Sequence, residues 1–419
     1  MRVIIEGISH IGEGVARLNG KAVFVPYTIP GEEVKIDINR EYRRYTRAVC
    51  KQVLVPSKDR VEPTCPHYTY CGGCGYQHVN YQRELELKRQ VVENALQHIG
   101  RLHIPVYPVI GMEQASGYRN KVVWHCQPFR GQLRLGYYRE KSNDLIPINC
   151  CQLLPEPIHE LSKLLAERLD ELEAGPNSQF TIRYCSKNRK LMLLVSGEIN
   201  QHKLTKLVAA ESQVSSLFLF RNGMLKHLLG DEYLTEQIEE FAFRVSPLAF
   251  LQINPVQTVK LYRLVDEYSQ IKNTDMVLDA YCGIGTISLY LARKAYKVNG
   301  IELVPEAIAD ARYNADLNGI TNAQFYCGPV EKLLPELHQK YDLVVLDPPR
   351  AGCHIETIQA VAKTNARRII YVSCNPSTLA RDLRQFQQLG YQSQFAQPVD
   401  MFPRTSHVEC VVLITRGKE

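Results

Sequence analysis

The chain has 419 residues, more than one hydrophobic core usually organises, so two or three domains are expected. Its 45% hydrophobic content is ordinary for a globular protein, no apolar run is long enough to span a bilayer, and the N-terminal residues do not read as a signal peptide, so the cytoplasm is the expected compartment. A net charge of +6 permits an RNA partner without requiring one.

Residues 1–56 read as short strands with turns between them. Ala22-Val-Phe-Val and Glu33-Val-Lys-Ile-Asp-Ile are strand-like, Pro30-Gly31 is a turn, and Gly12, Gly14 and Gly20 fall in or near bends. This spacing suits a small barrel of the oligonucleotide-binding kind. Arg40, Arg43, Arg44 and Arg47 then interleave with Tyr42 and Tyr45, combining cations for phosphates with rings for base stacking. The plainer reading is a solvated strand edge.

Residues 57–245 form a central segment. It opens with a cysteine- and glycine-rich loop, continues in a helix from Tyr81 to about Ile99, and then mixes strands such as Lys190-Leu-Met-Leu-Leu-Val with a helix around Ile158–Leu172 in an α+β pattern. The helix near 81–100 is a candidate to pack on the catalytic domain. Cys65, Cys71 and Cys74 lie within ten positions, and Cys150 or Cys151 can supply a fourth sulfur. Four thiolates suit zinc or an iron–sulfur cluster, and spacing alone decides for neither. Three unliganded cytosolic thiols are the plainer alternative.

From Ser246 to Glu419 the pattern changes to alternating strands and helices, which implies an α/β doubly wound, Rossmann-like sheet. Asp279-Ala-Tyr-Cys-Gly-Ile-Gly-Thr ends a strand and opens a helix, with Gly283 and Gly285 letting the backbone approach a ligand closely. Glu302 ends the next strand 19 residues beyond Gly283, where such folds put a carboxylate on ribose hydroxyls. No third glycine stands at the dinucleotide spacing and no Gly-Lys-Thr is present, so a nucleoside without a phosphate chain fits best, and S-adenosylmethionine is the common one. Asp347-Pro-Pro-Arg350 supplies a stiff loop at the carboxyl end of a further strand.

Ser373-Cys374-Asn375-Pro376 follows a strand directly and precedes a helix, whose positive end favours a thiolate. A buried structural thiol is the plainer reading of a lone cysteine. Uracil carbon-5 is too weak a nucleophile to take a methyl group unaided. Thiolate addition to carbon-6 makes it an enolate carbon, and a base must then remove the carbon-5 proton. Glu409 in His407-Val408-Glu409, entering the last strand, is the candidate base.

Together these segments resemble the RNA uridine-5-methyltransferases of the TrmA/RumA class over nearly the whole chain. The resemblance implies Cys374 as nucleophile, Glu409 as base, and Gln252 (in Phe250-Leu-Gln-Ile-Asn), Tyr281, Glu302 and Asp347 as S-adenosylmethionine contacts. It implies a TRAM domain at the N-terminus and phosphate contacts from Tyr118-Arg-Asn-Lys121. The cysteine loop, with Cys151-Gln-Leu-Leu, resembles the 4Fe-4S site of the RumA branch, which implies Cys65, Cys71, Cys74 and Cys151 as ligands. The expected substrate is RNA, 23S ribosomal RNA before transfer RNA, and the expected state is a monomer. Three rival readings are an RNA cytosine-5-methyltransferase, which would carry a cysteine in the loop after the Asp-Pro-Pro-like motif, where Pro349 and Arg350 stand and Cys353 lies a little further on, an exocyclic-amine methyltransferase, and a non-catalytic RNA-binding assembly factor.

Overall fold

Alternating burial along the N-terminal strands builds the first sheet. In the computed structural model, which describes residues 1–139 and 142–417, Val34 and Ile36 point inward from the strand Glu33–Glu41, while Lys35 and Asp37 point outward. Six strands lie in the order Arg2–Ile4, Glu33–Glu41, Tyr45–Val55, Lys21–Val25, Gly14–Leu18, Gly7–Ile8. Val3, Ile5, Ala16, Val23, Val25, Val34, Ile36 and Ala48 fill their interior. These small, mostly β-branched side chains suit a pleated and tightly curved surface.

The chain forms two compact units that are not contiguous in sequence. One comprises Met1–Glu113, Pro348–Ile358 and Tyr371–Glu419; the other comprises Gln114–Asp347 and Gln359–Ile370. No helix among the described residues is long and apolar enough to cross a membrane.

In the first unit, Asn80 caps the helix Tyr81–Ala95 by accepting from the Arg83 amide at 2.8 Å. The helix runs on through a π turn, Leu96–Gly100, and packs against the helix Pro376–Gln388. That second helix starts where its sequence dictates, with Asn375 as cap and Pro376 in the first turn. The strands Tyr391–Val399 and Glu409–Arg416 pair antiparallel, and Val106 and Ile110 add isolated bridges to Ala396 and Val399.

In the second unit a seven-stranded mixed sheet runs Met224–Gly230, Val214–Arg221, Lys190–Ser196, Gln179–Cys185, Lys121–Phe129, Gln132–Tyr138, Leu145–Pro147. Ile158, Leu161 and Leu165 from the helix Glu156–Glu167, and Leu204 and Val208 from Gln201–Ala209, close a core with Trp124, Phe180, Ile182 and Leu193. The same unit holds the parallel strands Met276–Ala280, Lys297–Glu302, Ala323–Cys327 and Leu343–Leu346. Met276–Ala280 lies between Lys297–Glu302 and Leu343–Leu346. Leu343 to Leu346 are all buried, as a parallel strand covered on both faces requires.

Candidate active site

The cofactor turn is made by backbone geometry before any side chain contributes. Beyond the strand Met276–Ala280, three of five residues have left-handed backbone: Tyr281 (φ 71°), Gly283 (φ 55°) and Gly285 (φ 84°). The amides of Tyr281 and Cys282 both donate to the Ile301 carbonyl, at 2.9 and 3.0 Å, fixing the turn to the neighbouring strand. A left-handed tyrosine is strained and is held only by such surroundings. The two glycines differ in what they face. A Cβ at Gly283 would meet nothing within 4 Å, whereas one at Gly285 would lie 3.2 Å from both Ala311 Cβ and the Phe325 ring. Gly283 thus borders open space, and Gly285 serves close packing.

Glu302 braces the same turn. Its Oε2 accepts from the Gly283 amide at 3.2 Å, and its Oε1 accepts from the Leu303 and Val304 amides at 2.7 and 3.0 Å. Asp279, at the end of the strand, is buried; its Oδ2 accepts from Ser288 Oγ at 2.5 Å, while its Oδ1 is buried without a hydrogen-bond partner among the described residues. Burial, with the Asp347 carboxylate adding to it, pushes the Asp279 carboxyl up to about 7. Half-buried Asp347 is raised in the same direction by loss of water. Gln252 is buried, and its carbonyl accepts from Asn120 Nδ2 at 3.5 Å. An orphaned Asp279 oxygen, open space over Gly283 and the Glu302 carboxylate on the Gly283 amide make this end of the sheet acidic. It fits a cationic nucleoside such as S-adenosylmethionine.

The expected nucleophile and base both belong to the first unit. Cys374 is half-buried in a turn tied at three points. Ser373 Oγ accepts from the Asn375 amide at 3.2 Å, Asn375 Oδ1 accepts from the Ser377 amide at 3.1 Å, and Asn375 Nδ2 donates to the Arg350 carbonyl at 3.1 Å. Thr378 Oγ1 donates to that same carbonyl at 3.3 Å. Glu409 is buried at the start of the last strand, opposite Val399. Arg350 Nη2 lies 3.3 Å from His407 Nε2, linking the segment before Glu409 to the loop that caps the Cys374 turn.

Asp382 is a residue that motif reading missed. Wholly buried, its Oδ2 accepts from the Cys353 amide at 2.8 Å and from Tyr371 OH at 2.6 Å. It thereby pins the Pro348–His354 loop onto the helix that follows Cys374. An aspartate seven residues into a helix looks like a surface charge in sequence; only its burial reveals the task.

Cys65, Cys71 and Cys74 are half-buried in the first unit, and Cys151 belongs to the second. Gln77 Nε2 donates to Cys74 Sγ at 3.3 Å, and a Cβ at Gly73 would lie 3.4 Å from Cys71 Sγ. The thiol chemistry fits a thiophilic centre. However, among the described residues no group of three or more Cys, His, Asp or Glu side chains stands in a metal-binding arrangement. On the barrel, Arg40 lies over the Tyr42 ring at 5.0 Å and Tyr42 stacks on Tyr45 at 4.5 Å, with Arg43 and Arg44 exposed. Arg47 is engaged elsewhere, in a 2.6 Å pair with Glu13.

A parallel sheet, a left-handed glycine turn beyond one strand and an acid ending the next define an α/β fold of the methyltransferase class. The pattern of the tRNA (uracil-5-)-methyltransferase family matches residues 80–417, and that of the TRAM domain matches residues 1–51. The chain belongs to the tRNA (uracil-5-)-methyltransferase family and is an RNA (uracil-C5)-methyltransferase. It is 37% identical to an uncharacterized RNA methyltransferase of Oceanobacillus iheyensis, over 98% of this chain and 95% of that protein. It is 36% identical to another from Clostridium tetani, over 98% and 95%. The solved Pyrococcus abyssi tRNA (uracil-54, C5)-methyltransferase, in complex with S-adenosyl-L-homocysteine, superposes with a TM-score of 0.79 at 25% identity, covering 99% of this chain and all of that one.

Proposed function

We propose that the chain transfers a methyl group from S-adenosylmethionine to carbon-5 of a uridine in RNA, with Cys374 as nucleophile and Glu409 as base. The observation that carries this is the presence, within one unit, of a half-buried thiol in a helix-capping turn and a buried carboxylate at a strand start. S-adenosylmethionine supplies the methyl as a sulfonium. Gln252, Tyr281, Gly283, Gly285, Glu302 and Asp347 bind and orient it. The Cys374 thiolate adds to carbon-6, which makes carbon-5 nucleophilic enough to accept the methyl. Glu409 then takes the carbon-5 proton, and elimination frees the thiolate. A paired target must first be extruded from its helix. The barrel's Tyr42, Tyr45, Arg40, Arg43 and Arg44 bind the RNA strand, in the cytoplasm, with the enzyme acting as a monomer.

The favoured substrate is 23S ribosomal RNA, on the likeness of the cysteine loop to the ribosomal branch of the family. Transfer RNA is the second reading, favoured by similarity to the Pyrococcus abyssi enzyme. Release of tritium from carbon-5-labelled uridine, measured on unmodified transcripts of each, tests both at once. Release from neither, or release that survives Cys374→Ala, contradicts the proposal. Cys65, Cys71, Cys74 and Cys151 are proposed to hold a 4Fe-4S cluster, with zinc the alternative, in a bracing role outside the methyl-transfer chemistry. Anaerobic reconstitution with iron and sulfide gives broad visible absorbance that Cys71→Ser abolishes; stoichiometric zinc on purification selects the alternative.

A further inference from the structure

The helix Tyr81–Ala95 buries a lysine on the face where its neighbours Leu87, Val91 and Val92 are apolar. Lys88 is wholly buried. Its ammonium donates to Asp400 Oδ1 at 2.6 Å and to the Phe402 carbonyl at 3.1 Å, and lies 2.9 Å from Glu84 Oε1. Tyr81 OH donates to Asp400 Oδ2 at 2.8 Å and accepts from the Met112 amide at 2.9 Å. Glu84 Oε1 accepts from the Arg404 amide at 2.7 Å. Burial works against the charge on Lys88, but the Asp400 and Glu84 carboxylates beside it prevail and raise its pKa.

What this cluster grips is the connection between the last two strands. Val399 pairs in register with Glu409, so Asp400 leaves its strand next to the partner of the proposed base. Within the connection, Thr405 Oγ1 donates to the Phe402 carbonyl at 2.8 Å and accepts from the His407 amide at 3.2 Å. The Arg404 carbonyl, on a left-handed residue (φ 69°), accepts from the Gly75 and Tyr76 amides at 3.0 Å each. Ser406 fills the space a Cβ would need at Gly12, 2.7 Å away. A buried ion cluster commonly contributes little net stability compared with apolar packing, while removing one of its members leaves an uncompensated buried charge.

We propose that Lys88 is a positioning residue for Glu409. Together with Glu84, Asp400 and Tyr81 it holds the 400–408 connection, and so the carboxylate, for the elimination step. In that step the carbon-5–hydrogen bond breaks and its proton passes to Glu409. The electron pair forms the carbon-5–carbon-6 double bond, and the carbon-6–sulfur bond breaks to return the thiolate. Thiolate addition and methyl transfer precede this and do not draw on Lys88.

This inference rests on the reading of Glu409 as base, and the test separates the two. Lys88→Met, Tyr81→Phe and Glu409→Gln are incubated with methyl-labelled S-adenosylmethionine and an unmodified transcript that the wild type methylates. Product release and labelled protein–RNA adduct are then followed on denaturing gels. Lys88→Met is expected to turn over at least tenfold more slowly while labelled adduct accumulates, as in Glu409→Gln. Tyr81→Phe, which keeps the packing and loses one hydrogen bond to Asp400, is expected to slow about threefold with a smaller adduct signal and to decide the matter should Lys88→Met not fold. Normal turnover, or slower turnover without adduct while Glu409→Gln accumulates it, overturns the role of Lys88. Absence of adduct in Glu409→Gln instead overturns the reading of the base.

Discussion

The cofactor turn and the base-bearing segment reach order by opposite routes. The turn after Met276–Ala280 is local: left-handed backbone at 281, 283 and 285 and a carboxylate 19 residues on, bonded to the Gly283 amide, define it. The segment around Glu409 depends on distant partners, Lys88 reaching Asp400 across 312 residues of chain and Glu84 reaching Arg404 across 320. A local device announces itself as a motif. A long-range one leaves only buried charges, which a sequence shows as ordinary polar residues.

The comparison breaks most sharply at Cys374. Cys374→Ala is expected to lose on the order of 10⁴-fold or more in turnover, as removal of a covalent nucleophile does, while binding S-adenosyl-L-homocysteine as the wild type does in titration calorimetry. Weakened cofactor binding in that variant would mean that the two devices are not separable. Glu302→Ala is the converse. Losing a charged acceptor worth about 1.5–3 kcal/mol is expected to weaken S-adenosyl-L-homocysteine by roughly ten- to a hundredfold. Retained affinity would leave Glu302 as a brace of the turn alone.

Two smaller effects sharpen the picture of the turn. Gly285→Ala meets both a left-handed backbone and a 3.2 Å contact, and is expected to cost about 2 kcal/mol in denaturant unfolding. Gly283→Ala, with the backbone penalty but open space, is expected to cost about 1 kcal/mol. Equal costs would deny the distinction between them. The smallest effect is a pH dependence. The Asp279 carboxyl is raised from 3.8 to about 7 by burial, so between those values the folded chain keeps a proton that the unfolded chain releases. Its contribution to stability is therefore full below 3.8 and is lost as pH rises to about 7. Asp279→Asn is expected to flatten the fall in melting temperature over that window; an unchanged profile contradicts the shift.

Sequence patterning made the strand and helix at the cofactor turn legible, along with the strands 297–302 and 368–373 and the helix after Cys374. In each, apolar runs are punctuated by residues with a fixed conformational habit: Gly283, Gly285 and the Asn375-Pro376 cap. The seven-stranded order of the central sheet was not legible, because pairing between distant strands depends on packing that no local pattern encodes. Lys88, Asp382 and Asp400 were missed for the same reason. Glu84 and Lys88, four residues apart, look like a solvent-exposed helical ion pair until their burial is seen.

The central claim is a bond between Cys374 sulfur and carbon-6 of the target uracil. The direct measurement uses RNA carrying 5-fluorouridine at the target, incubated with the enzyme and S-adenosylmethionine, then digested and analysed by mass spectrometry. Fluorine cannot leave as a proton does, so the account predicts a stable methylated adduct on the peptide containing Cys374. An adduct on another residue, or methylated RNA released with no adduct at all, contradicts it.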